Sequence, residues 1–260
     1  MTDPRLDLRI EEGIARLTIR RAEKLNALDA EMVAALPALC ARIECSPARV
    51  VILTGAGGRA FCAGGDIAAW SALTPEDFGR FWLRGGHDAF DALARLRQPL
   101  IAVLNGACLG GGLELAACAD YRLAEAHVRI GLPEAGLGII PGWSGTQRAV
   151  RRFGAGIVRR MALFGEVFGA EEALRLGLVD QVVPQGGGMA AAEALAAQVI
   201  ARAPRATELC KMLINAAEGE ERERVLETLA GIVAAGSDDL REGLAAFREK
   251  RPARFDSPGE

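Results

Sequence analysis

Glu114 and Glu134 are the side chains of this 260-residue sequence whose surroundings most plainly invite proton chemistry. Glu114 stands inside Leu113-Glu114-Leu115-Ala116-Ala117-Cys118-Ala119, an apolar stretch in which an ionised carboxylate is costly to bury. Glu134 follows twenty positions later, between Pro133 and Ala135, in a segment (130–142) that is mostly apolar and rich in glycine. Two carboxylates in desolvated surroundings have raised or split pKa values, which suits paired general acid and general base work. Each acid taken alone can equally cap a helix or meet an arginine.

Two glycine-rich segments are the natural companions of such a pair. One runs Leu53-Thr54-Gly55-Ala56-Gly57-Gly58-Arg59-Ala60-Phe61-Cys62-Ala63-Gly64-Gly65-Asp66-Ile67, the other Asn105-Gly106-Ala107-Cys108-Leu109-Gly110-Gly111-Gly112-Leu113-Glu114-Leu115. Glycines that open a helix can aim free N–H groups at an anion or a developing oxyanion. Neither segment has the Gly-Lys-Ser/Thr of a phosphate loop or a full dinucleotide fingerprint, so by themselves they read as tight turns and close helix packing.

Composition removes other chemistries. With 31 Lys and Arg against 34 Asp and Glu, net charge −3, there is no cation excess to neutralise a nucleic-acid backbone. The six cysteines contain no CxxC, and His87 and His127 lie near no cysteine pair, which disfavours a zinc site and a histidine-based triad. Most of the thiols read as small core residues, Cys62 among them. The charge-free run between Arg97 and Glu114 is too short for a bilayer span, and the polar start Met1-Thr2-Asp3-Pro4-Arg5 leads into no apolar signal core. A cytoplasmic protein without a membrane segment is expected.

The elements that must position these groups are α/β. Ile14–Ile19 alternates like a half-buried strand, and Val50–Thr54 and Leu100–Leu104 are continuous apolar runs of strand length, each ended by glycine or Asn-Gly. Shorter strands are expected at Asp120–Ala124, Val128–Ile130 and Val179–Val183. Asp29 caps a helix that reaches about Glu44 with Pro37 inside it, and helices are expected over 190–202, 207–217, 220–235 and 239–248. With half of the residues hydrophobic, this pattern predicts an α/β core over 1–203 and an amphipathic helical tail over 204–260, with Pro204 at the boundary.

Over nearly its whole length the sequence resembles the enoyl-CoA hydratase/isomerase (crotonase) superfamily, on five segments in order: Arg21-Ala22-Glu23-Lys24-Leu25-Asn26-Ala27-Leu28, Phe61 to Ile67, Asn105 to Leu115, Pro133 to Arg148, and Ala170 to Val179. The resemblance implies a crotonase-like spiral of ββα units, with the C-terminal helices mediating a homotrimer or a dimer of trimers. It implies an acyl-CoA thioester as ligand, with no metal and no redox cofactor because coenzyme A is part of the substrate. The backbone N–H groups of Ala63 and Gly111 would form an oxyanion hole, Glu114 would activate water, and Glu134 would exchange a proton with the α-carbon. Lys24, Leu25, Ala63, Gly64, Gly65, Asp66 and Ile67 become candidates for the CoA end and Gly142 for the acyl group. Phe247 and Lys250 become candidates for the CoA phosphates, of the same or a neighbouring subunit; both lysines also read as solvated surface groups.

Keeping both acids favours hydration of an enoyl-CoA. Trp143-Ser144, where relatives have small residues, and the aromatics between Trp70 and Phe90 leave open an isomerase or a lyase for a cyclic or aromatic acyl-CoA. The spacing of Phe78, Phe81 and Trp82 is also that of a core-facing helical stripe, the preferred reading. The run Arg148, Arg151, Arg152, Arg159 and Arg160 reads as a solvated, salt-bridged surface, and both histidines as ordinary hydrogen-bonding groups. A non-catalytic acyl-CoA or RNA binder is disfavoured by the two acids and the acidic balance.

Overall fold

A computed structural model describes residues 3–255. Its strands are β1 (Leu6–Glu11), β2 (Ile14–Ile19), β3 (Val50–Gly55), β4 (Ala60–Cys62), β5 (Leu100–Leu104), β6 (Ala107–Leu109), β7 (Tyr121–Glu125), β8 (Arg129–Gly131), β9 (Val167–Gly169) and β10 (Gln181–Val183). Among them run α1 (Ala30–Glu44), α2 (Ile67–Trp70), α3 (Pro75–Asp77), α4 (Arg84–Ala94), α5 (Gly111–Ala116), α6 (Arg148–Phe153), α7 (Ala155–Phe164) and α8 (Ala170–Arg175). The helices α9 (Gly188–Ile200), α10 (Pro204–Ala217), α11 (Arg222–Ala235) and α12 (Asp238–Glu249) follow.

β3, β5 and β7 lie in a six-stranded sheet of order β1-β2-β3-β5-β7-β10, parallel except for β1 against β2; their successors β4, β6 and β8 run parallel in a second sheet, which β9 closes antiparallel. Each turn of chain thus gives one strand to each sheet, the expected spiral of ββα units. β3 has six consecutive buried residues because both its faces are covered. Val51 and Leu53 enter the main core, whereas Val50 and Ile52 pack with Ala192 and Ala196 of α9 on the far face. The three-residue strands β4, β6 and β9, too short to show alternation, were not foreseen, nor was β1.

Asp29 caps α1 through Met32 N–H (3.1 Å), and the helix runs through Pro37. Pro204, the expected boundary, opens α10, in keeping with proline's fitness for a first helical position. The chain divides within that helix, between Lys211 and Met212. Lys211 is tied to the first unit, its buried Nζ donating to Gln98 O (2.9 Å) and pairing with Asp120 (2.6 Å). The second unit consists of helices. Among the described residues, no helix is long and apolar enough to cross a membrane.

Two expectations need correction. Phe78–Leu83 is a π-helical segment, so its side chains do not follow an α-helical stripe: Trp82 is buried, Phe78 half-buried and Phe81 69% exposed. Arg148 is no surface cation; it is 1% exposed and pairs with Asp91 at 2.6 Å.

Candidate active site

The two glycine loops leave adjacent strands of the small sheet, β4 and β6, and meet. Gly64 (φ 104°) follows β4, and Gly110 (φ 55°) turns β6 into α5, backbone that a side chain would strain. A Cβ on Gly64 would lie 3.1 Å from the nitrogen of Gly111, so the loops abut. Gly111 is the first residue of α5, where a backbone N–H has no carbonyl of its own helix to meet. The N–H of Ala63 is committed: it donates to Leu25 O at 3.1 Å. A carbonyl oxygen arriving between the loops must share that donor with Leu25.

Glu114, on α5, is 3% exposed, and its Oε1 accepts the N–H groups of Trp143 and Gly145, each at 2.6 Å. Gly145 is a glycine for contact: a Cβ there would lie 2.7 Å from Glu114 Oε1. Glu134 opens a 3-10 turn (Glu134–Leu137); its Oε1 crowds Gly110, and its Oε2 is buried with no hydrogen-bond partner. Burial pushes the Glu114 carboxyl up to about 8, reinforced by the charge of Glu134 and opposed by the two amide donors. Burial pushes Glu134 up to about 7. Such a pair titrates jointly, its apparent values belonging to the pair and not to either acid.

Both acids line one cleft with Ala63, Gly64, Gly65, Gly110 and Gly111. Trp70, Phe78, Trp82 and Trp143 form an aromatic wall, so this region lines a pocket instead of only filling a core. Trp143 is 3% exposed; its Nε1 donates to Trp82 O (3.0 Å), and its ring lies 4.8 Å from that of Trp82 and 5.2 Å, edge-on, from Phe90. Gly86 makes room for it, since a Cβ there would overlap the indole.

Of the remaining expected site residues, Ile67 (50% exposed) and Gly142 line the cleft, and Lys24 and Leu25 are exposed on a turn where Leu25 and Asn26 have φ 53° and 56°. Asp66 is already matched: it pairs with Arg21 (2.8 Å) and caps α2 through Ala68 N–H. Phe247, 83% exposed, and Lys250, at the left-handed C-cap of α12, belong to the second unit. Cys62 is packing, its buried thiol pushed up to about 12. Among the described residues, the carboxylates of Asp3, Asp29 and Glu31 converge as a metal site would require, but Arg5 pairs with all three.

Sequence reasoning passed over Asn26, whose buried amide donates to Ala56 O (2.9 Å) and Ala60 O (2.7 Å) and accepts from Arg21 N–H (3.0 Å). A polar residue inside the Lys24–Leu28 turn was the available signal. It also passed over the contact of His87 Nδ1 with Ser144 Oγ (3.1 Å), which no spacing announces.

The model of the enoyl-CoA hydratase/isomerase family matches residues 9–258. The crotonyl-CoA hydratase of Syntrophomonas wolfei is 34% identical over 251 residues, covering 94% of this chain and 95% of that protein. The short-chain-enoyl-CoA hydratase of Clostridium acetobutylicum is 36% identical over 244 residues, covering 93% of each. The structure of Pseudomonas aeruginosa DspI superposes with a TM-score of 0.80 at 34% identity, covering 98% of both chains. Fold, paired acids and these likenesses agree: the chain belongs to the enoyl-CoA hydratase/isomerase family.

Proposed function

We propose that this chain is an enoyl-CoA hydratase, adding water reversibly across the 2,3 double bond of an enoyl-CoA thioester. The observation that carries the reading is the meeting of Glu114 and Glu134 in one cleft with the abutting loops of Gly64 and Gly111. The thioester oxygen sits between the loops, taking the Gly111 N–H and sharing that of Ala63, so that negative charge appearing during addition meets fixed donors; each is worth about a hundredfold or more in rate. Water lies between the acids. Glu114 acts in its ionised form, which two amide donors favour against the burial that raises it, and takes a proton from the water as the water oxygen bonds C3. Glu134, whose protonated form burial favours, gives a proton to C2. The pair begins and ends with one proton, and the step calls for neither a metal nor a redox cofactor.

The CoA end lies over the Lys24–Leu25 turn and Ile67. Phe247 and Lys250 reach the CoA phosphates of a neighbouring subunit in a homotrimer or dimer of trimers. Large exposed apolar residues of the second unit, among them Leu226, Val233, Leu244 and Phe247, favour such an assembly. The setting is cytoplasmic. A second reading, a lyase or isomerase for a cyclic or aromatic acyl-CoA, is favoured by the aromatic wall alone.

The test is a panel of linear, cyclic and aromatic thioesters, saturated and unsaturated, followed by mass spectrometry. Gain of water by linear 2-enoyl-CoA supports the first reading; turnover confined to ring-bearing thioesters, or double-bond migration without solvent oxygen, establishes the second. No conversion of any member removes both.

A further inference from the structure

One face of α4 grips the turn that grips Glu114. Gly86 and Phe90 receive the Trp143 ring, His87 Nδ1 meets Ser144 Oγ at 3.1 Å, and Asp91 pairs with Arg148 at 2.6 Å. Positions 86, 87, 90 and 91 share one side of a helix by its period. The gripped turn, Trp143-Ser144-Gly145, carries two N–H groups on either side of a residue at φ 79°, and both end on Glu114 Oε1. Alternate amides converging in this way make an anion-binding nest. Serine does not favour that backbone conformation, which glycine adopts freely. Ser144 is buried, and its hydroxyl is fastened to the half-buried His87, a residue that lies outside the cleft lining.

Building on the hydratase reading, we propose that His87 is a positioning residue for Glu114: by holding Ser144 Oγ it keeps the turn in the left-handed conformation that aims the Trp143 and Gly145 amides at the carboxylate. Whichever partner supplies the proton of the His87–Ser144 contact, the hydroxyl is held. Without the hold the turn relaxes, the amides lengthen their bonds to Oε1, and the carboxylate loses donors that favour its ionised form. The other groups facing the Glu114 carboxylate are Glu134 from its 3-10 turn, Arg148 from α6 with Asp91 of α4 upon it, and the thiol of Cys62 on β4, while the Cys118 thiol donates to the Glu114 backbone carbonyl. Around His87, α4 itself carries Arg84, Asp88 and Asp91. None of these residues is itself substituted in the His87 variants.

The experiment compares H87A, H87Q, S144G and the H87A/S144G double variant with crotonyl-CoA across pH. H87A is expected to lose about tenfold in kcat with KM little changed, and the acidic limb of its kcat profile, where Glu114 takes up a proton, should move up by about half a pH unit or more. H87Q, which can again bond the hydroxyl, should recover most of both. In S144G the turn no longer needs the anchor, so adding H87A should change neither quantity. Wild-type kcat and profile in H87A, or an equal loss in the S144G background, would overturn the proposal. An infrared titration of the protonated-carboxyl band that disappears in E114Q reads the same effect without turnover. An upward shift of that band in H87A supports the positioning role even if no thioester is hydrated, and an unshifted band removes the role even if hydration is found.

Discussion

The backbone N–H of Trp143 donates to Oε1 of Glu114 at 2.6 Å, joining residues 29 positions apart. The residue that shapes the aromatic wall of the cleft therefore also orients the acid, so reshaping the wall and disturbing the proton transfer are not independent operations.

Replacing either acid by its amide removes a proton carrier while keeping its shape. E114Q and E134Q should each lower kcat for crotonyl-CoA by about 10²- to 10⁴-fold, followed by the absorbance of the conjugated thioester, while the affinity for a saturated acyl-CoA stays within a few-fold. A near-wild-type rate in either variant removes that acid from the mechanism.

The same acids make stability pH-dependent with an unusual sign. Burial raises Glu114 to about 8 and Glu134 to about 7 from an ordinary value of 4.5, so between these limits the folded chain binds more protons than the unfolded chain. Their contribution is fully present below pH 4.5 and is lost as pH rises through 7 to 8. E114Q, which cannot ionise, should therefore raise Tm at pH 8.5 relative to wild type and change it little at pH 5. Calorimetry at the two pH values reads the difference; a wild-type Tm that climbs steadily over this range relative to E114Q would contradict it.

Gly86 and Trp143 should behave as a matched pair. G86A drives a methyl group into the indole and should cost about 1–3 kcal/mol in denaturant unfolding, with a changed profile of accepted acyl groups. W143A, which empties the buried site, should cost about 3–5 kcal/mol, and G86A added to it should then cost much less than in the wild type. Equal costs of G86A in both backgrounds would show that the two residues do not press on one another.

Asn26 ties the Lys24–Leu25 turn to the strand that leads to the first glycine loop. N26A leaves the buried carbonyl of Ala60 without that donor and should cost about 2–3 kcal/mol. If the turn carries the CoA end, KM should rise more than kcat falls; a fall in kcat alone would place its effect elsewhere.

Much of this was legible in the sequence. The apolar runs of β3 and β5, the Asp29 cap and the strand-loop-helix punctuation fix the large sheet, and an acid in an otherwise apolar helix announces Glu114. The rest was hidden for physical reasons. The strands β4 and β6 are three residues long, below any readable period. The π-helical turn at Phe78–Leu83 breaks the spacing on which the stripe reading rested, and Arg148 looks like the exposed Arg151 and Arg159 until Asp91 is seen to meet it from a distant helix. The same holds for the Ser144 turn, whose φ of 79° has no signature when the residue is not glycine.

The bond from Ala63 N–H to Leu25 O has a further meaning for the resting protein. On the proposed reading, an N–H that receives charge would otherwise lack a partner between turnovers, and here the chain's own carbonyl occupies it. On the hydratase reading, a substrate oxygen would join that carbonyl on the shared donor, and the internal bond would persist after product leaves, so the Ala63 N–H never lacks a partner.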